Sequence, residues 1–178
     1  MMDDAELRHQ LEQLHEMSYG WALNCCSFQP NEAEDILQTV YQKVLEGRAR
    51  YHGKSLFKTW LFAVIRNTAA NERRRRWLRA FRLVDYARER DLDCEPSRAA
   101  GIGGDVERLA IFRSLLGKLP QRQREVLHLV FYQDHTIEAA SVVMGVSLGS
   151  ARTHYERAKH RLAEWIKQTG HFDEYLKQ

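Results

Sequence analysis

Proline and cysteine are scarce in this chain, with three of each in 178 residues. Cys25 and Cys26 are adjacent, and Cys94 makes the count odd. That arrangement is a poor disulfide framework, and without a CxxC spacing it offers no zinc site, so no metal and no cofactor are expected. No run of about 18 apolar residues is present, which excludes a helical membrane span and predicts no membrane insertion. The first residues, Met1 to Glu6, are acidic and lack a basic segment followed by an apolar run. They do not read as a secretory signal, and a cytoplasmic protein is expected. Catalytic signatures are missing too. There is no HExxH, no glycine-rich phosphate loop and no GxSxG, and the eight histidines do not group at ligand spacing.

Hydrophobic residues make up 44% of the chain, enough for a packed core. The charge is small overall, +3, but unevenly spread. Residues 1–47 carry 2 Lys/Arg against 9 Asp/Glu, whereas residues 48–90 carry 13 against 3. An acidic surface therefore precedes a basic one; the second suits nucleic acid and the first a protein partner.

Apolar periodicity is helical throughout, which predicts an all-α fold. Leu7, Leu11, Leu14, Met17 and Trp21 mark a first helix over 5–25. Asn31 with Glu34 has the form of a capping box opening a second helix, which ends near Gly47. Its apolar face is Ile36, Leu37, Val40, Tyr41, Val44 and Leu45, and Asp35, Gln38 and Gln42 share the opposite face. A basic loop containing Tyr51 and Gly53 leads to a third helix over 56–79, with Phe57, Trp60, Leu61, Val64, Ile65 and Thr68 as its buried stripe. Between 83 and 104 the period fades and Pro96, Gly101, Gly103 and Gly104 mark a linker. Helices resume near Asp105, giving two small helical domains, 1–82 and 105–170.

The sharpest local pattern is Thr136 to Tyr155 (TIEAASVVMGVSLGSARTHY). It predicts a short helix, a turn at Gly145, and a second helix from Leu148 to Ile166, capped by Ser147 and crossing the first at the small Ser141. A helix-turn-helix places the start of its second helix in the major groove. That segment offers Ser150, Arg152, Thr153, His154, Arg157 and Lys159 for phosphates and base edges, with Glu156 among them. A solvated helix with scattered charge is the plainer reading of the same residues. The second candidate runs from Phe57 to Arg76, where aromatics interleave with cations as melted DNA requires. Tyr51, Trp60, Arg66, Asn67, Asn71, Arg73 and Arg74 are its polar and stacking groups, although Phe57 reads as core. For Asp35, Gln38 and Gln42 the residues alone leave solvated surface and a docking face equally open.

Together these segments resemble the extracytoplasmic-function sigma factors of the sigma-70 family. Ala33 to Val40 (AEDILQTV) resembles region 2.2; Phe57 to Phe62 (FKTWLF) and Arg66 to Ala69 (RNTA) resemble regions 2.3 and 2.4; Leu119 to Leu127 (LPQRQREVL) and the helix-turn-helix resemble region 4. The resemblance implies a stress- or signal-responsive initiation factor that lends RNA polymerase core its promoter specificity. Asp35, Gln38 and Gln42 would meet the clamp helices of the largest polymerase subunit. Tyr51 and Asn67, with the neighbouring groups, would hold a flipped base of the minus-10 element. The residues from Ser150 to Lys159 would meet the minus-35 element, and the linker would thread polymerase channels. An anti-sigma factor, which the family often uses, belongs among the implied partners. His154 departs from the basic residue common in the family, and Glu156 departs by charge, since a carboxylate near phosphates is unfavourable unless it accepts from a cytosine amine. The competing readings are a stand-alone helix-turn-helix regulator, which would need a dimerisation surface, and an enzyme, which would need converging carboxylates or metal ligands.

Overall fold

A computed structural model of the chain describes residues 3–84 and 115–169. Every regular element among them is helical. The chain divides into two compact units, Met1–Ser97 and Arg98–Gln178. Most of the expected linker and the helix expected to begin near Asp105 lie outside the described residues, except for its last turn.

In the first unit, α1 (Asp4–Gln13) and α2 (His15–Cys25) replace the single helix expected over 5–25. The break falls at Leu14, whose φ and ψ are −93° and 2°. Leu11, Leu14, Ser18, Trp21 and Cys25 are nevertheless all buried. The apolar phase thus runs through the break, which is why spacing gives no sign of it. Ser27 and Phe28 then adopt left-handed φ of 53° and 63° and turn the chain.

The next helix, α3 (Pro30–Leu45), starts with proline in its first turn and Gln29 as cap, without a side-chain bond. The capping box expected at Asn31 does not form, because Pro30, whose ring fixes a helical φ and which has no N–H to satisfy, already occupies the first turn. Ile36, Leu37, Val40 and Val44 are buried as expected, but Tyr41 is only half-buried and Leu45 is exposed.

α4 (Phe57–Val84) runs five residues beyond the expected end. It spans about 42 Å at 1.5 Å per residue. Its buried stripe includes Phe57, Leu61, Phe62, Ile65, Thr68 and Ala69, while Trp60 and Val64 are half-buried.

α2 packs against both α3 and α4, and these two pack on each other. The centre is Trp21 on Phe62, stacked at 5.9 Å with both side chains fully buried. Trp21 Nε1 donates to the Phe62 carbonyl at 3.0 Å, so the indole's one donor is satisfied inside the core.

In the second unit a helical turn over 115–118 precedes α5 (Gln121–Leu127), which opens on Pro120 and runs into a π-helical turn, His128–Tyr132. α6 (Ile137–Met144) and α7 (Leu148–Thr169) follow. α7 packs against both α5 and α6. Leu116, Leu119, Leu127 and Ala158 form a buried cluster flanked by Tyr155, Leu162 and Trp165. α5 also buries Gln123, Arg124 and Glu125, a polar run that apolar periodicity did not foreshadow.

Candidate nucleic-acid interface

The second unit sets its helix-turn-helix by a chain of local devices. Thr136 caps α6, its hydroxyl accepting from Ala139 N at 3.1 Å. Gly145 then takes φ 62° and ψ 41°. Its N–H bonds to the Val142 carbonyl at 3.2 Å, and the Val146 N–H to the Ser141 carbonyl at 3.1 Å. This pair of bonds is a Schellman closure, which satisfies carbonyls the helix end would orphan. Ser147 accepts from Ser150 N at 3.2 Å and starts α7 as expected. Arg122 of α5 donates to the Met144 carbonyl at 2.9 Å, pinning the turn from outside. Ser141, Met144 and Ala151 are buried at the crossing.

These constraints present one side of α7 to solvent. Ser150, Arg152, Thr153, Arg157 and Lys159 are exposed, and His154 is half-buried and rotated toward the core side. The Thr153 hydroxyl donates to the Gly149 carbonyl at 2.9 Å. Arg152 reaches Glu138 of α6 at 3.5 Å, a pairing that joins two helices and leaves no trace in residue spacing. A hydrogen bond with its own backbone, then the Thr136 hydroxyl, then this guanidinium keep the Glu138 carboxyl below its usual range.

In the first unit, Tyr51, Phe57 and Trp60 come together with ring centroids 5.3–5.4 Å apart. The Tyr51 hydroxyl donates to the Ser55 carbonyl at 2.5 Å and closes the basic loop onto the start of α4. Leu56, beside this cluster, is 76% exposed and was not singled out from sequence. At 100° per residue, Trp60, Asn67, Asn71 and Arg74 fall on one line of α4, with Asn67, Asn71 and Arg74 exposed. Arg66 and Arg73 share a second line about 100° away.

The arginine run is less uniform than its sequence. Arg73 donates to the Cys25 carbonyl at 3.5 Å, at the end of α2. Arg75 and Arg79 face Glu72. Arg76 forms a two-pronged pair with Glu32 of α3, whose hydrogen bonds raise its pKa. Arg74 is the member of the run that projects without such a tether among the described residues.

The acidic side of the first unit is α3. Asp35, Gln38 and Gln42 are all exposed on it. Gln42 donates to Glu46 at 2.8 Å, and this bond, with Arg48, holds the Glu46 carboxyl below its usual range. Gln38 and Gln42 also line an open groove of about 960 Å³ with His15, Tyr19, Leu37 and Tyr41. The Tyr41 hydroxyl and His15 Nδ1 lie 3.3 Å apart across it. The groove explains why Tyr41 and Leu45 escape the core, and it could not be read from sequence because its two walls come from separate helices.

Comparison with known proteins matches both units, in order. The family model for sigma-70 region 2 matches residues 11–79, and the model for sigma-70 region 4 matches residues 109–162. The ECF RNA polymerase sigma factor EcfG of Rhodopseudomonas palustris is 27% identical over 79% of this chain and 74% of its own. The RNA polymerase sigma factor CarQ of Myxococcus xanthus is 30% identical over 75% and 74%. The sigma factor RpoE of Bartonella quintana, solved in complex with the anti-sigma factor NepR, shares the fold at TM-score 0.70 and 24% identity, covering 90% of this chain and 96% of that one.

Proposed function

The chain belongs to the extracytoplasmic-function sigma factors of the sigma-70 family, and from that premise we propose how its surfaces divide the work of initiation. It directs RNA polymerase core to promoter DNA and starts transcription. Residues 1–82 serve as region 2, 83–104 as the linker and 105–170 as region 4. Asp35, Gln38 and Gln42 dock on the clamp helices of the largest polymerase subunit. Tyr51, Trp60, Arg66, Asn67, Asn71, Arg73 and Arg74 take the minus-10 element, the amides bonding an unstacked base and the cations its phosphates. Ser150, Arg152, Thr153, His154, Arg157 and Lys159 take the minus-35 element.

The observation that carries this reading is the separation of exposed chemistry within the first unit. Carboxylate and amides stand out on α3, while amides and a guanidinium stand in line on α4 beside an aromatic cluster. The chain acts in the cytoplasm by binding, not as an enzyme, and it responds to a stress or signal. An anti-sigma factor is a further partner, as for the Bartonella protein.

Run-off transcription with sigma-free core polymerase on genomic promoter fragments tests the proposal. Discrete transcripts that appear with the protein and vanish with Asp35→Arg are expected. Absence of transcripts, with tight duplex binding by the chain alone, would favour a stand-alone regulator instead.

A further inference from the structure

Glu156 is a carboxylate set where α7 faces outward. Ala151 and Ala158 are fully buried, with Tyr155 and Leu162 packed beside them. At 100° per residue, the line opposite this stripe contains Gly149, Thr153, Glu156 and His160. Thr153, Glu156 and Arg157 thus share the exposed side of the helix near its start. The Glu156 side chain is 68% exposed, and Lys159 Nζ lies 3.6 Å from its Oε2. Lys159 also lies 5.1 Å from the centroid of the Tyr155 ring, which holds the ammonium close to the helix.

A carboxylate entering a phosphate-lined groove is repelled unless it meets a donor. Ionised, it can only accept. In the major groove, guanine presents the acceptors N7 and O6, and thymine presents O4. Adenine sets its N6 donor beside the N7 acceptor, and cytosine offers its N4 amine. Of the four bases, cytosine matches an acceptor-only group best, and the others oppose it with at least one lone pair.

We propose that Glu156 is a specificity residue that selects cytosine at one position of the minus-35 element, with Lys159 offsetting its charge against the flanking phosphates. This rests on the reading that α7 enters the major groove. Selection is two-sided: the carboxylate attracts the cytosine amine and repels guanine and thymine acceptors. A glutamine at the same place has both a donor and an acceptor and suits adenine N6 and N7. Glu156→Gln therefore converts a cytosine preference into an adenine preference, an outcome that a merely structural role would not produce.

The test uses holoenzyme reconstituted from core polymerase and the full chain, selecting from a promoter-length library of randomised duplexes. The wild type should enrich cytosine about tenfold at one minus-35 position. E156Q should enrich adenine there and E156A should enrich no base, with core binding and minus-10 selection unchanged in both. Cytosine enrichment that persists in E156Q and E156A, or wild-type minus-35 selection containing no such cytosine, would overturn the proposal alone. A wild-type holoenzyme that selects at minus-10 but at no minus-35 position would overturn the reading of α7 and the proposal with it.

Discussion

Replacing Gly145 by alanine should destabilise the second unit by about 1 kcal/mol, entirely through the backbone. Gly145 sits at φ 62° and ψ 41°, where a side chain meets the adjacent carbonyl at a cost of about 1–2 kcal/mol. Part of that is offset, by about 0.4–1 kcal/mol, because alanine also restricts the unfolded chain. No steric term is added, since a Cβ built at Gly145 meets nothing within 4 Å. Gly145→Asn should lose less, because asparagine tolerates the left-handed region better than alanine does. Gly145→Val should lose more than either, its branched Cβ being the least compatible with that conformation. Native-state hydrogen exchange at buried amides of α6 and α7, such as Val143 and Ala158, reads this directly. Protection should fall about fivefold in the alanine variant, while amides of α2 and α3 stay unchanged. Equal protection in wild type and Gly145→Ala, or a loss in Gly145→Asn as large as in Gly145→Val, would refute the argument that the dihedral sets the cost.

Trp21→Phe removes the bond to the Phe62 carbonyl and leaves a gap beside a fully buried ring; the first unit should lose about 2 kcal/mol in urea unfolding followed by exchange of α4 amides. Burial, with Glu32 nearby, raises the Cys26 thiol from 9.0 to about 11. In a Cys25→Ala, Cys94→Ala background, native labelling at pH 8 should run about a hundredfold slower than at an unperturbed thiol, and unfolding should abolish the difference. Burial pushes His128 down to about 4 from 6.5, so its neutral form is the folded one. The unfolded chain then binds the extra proton between those values, and stability present above pH 6.5 is lost as pH falls toward 4, by up to about 3 kcal/mol. Denaturation of His128→Gln across that range should show a flatter pH dependence.

The helix-turn-helix was legible because its determinants are local. The glycine and the serine cap each act within five positions, and the small Ser141 packs against the helix that follows directly, so their order in sequence is their order in space. The break at Leu14 was hidden for the opposite reason, since burial continues in phase across it. α3 starts before the position that Asn31 and Glu34 indicate, because Pro30, one position earlier, fixes the first turn. α4 runs five residues past Arg79, along the spacing of Trp77, Phe81 and Val84; up to Arg79 it is braced by the pairs from Glu72 and, across the fold, by Arg76 with Glu32, 44 residues away. Partners that distant leave no mark in spacing. The same holds for Glu138 with Arg152, and for the groove beside Gln38.

The tethered arginines bear on the thermodynamics of DNA capture. Each phosphate neutralised by protein releases condensed counterions, and the slope of log K against log salt counts these contacts at about 0.9 per phosphate on duplex. Residues 48–90 hold 13 cations against 3 acids. Arg75, Arg76 and Arg79 already face carboxylates of their own chain. Their charge is compensated before DNA arrives, and engaging a phosphate would require them to leave an existing partner. The ionic-strength dependence of promoter binding should therefore be shallower than the composition of this segment indicates, and a Glu32→Gln change that unties Arg76 should steepen it.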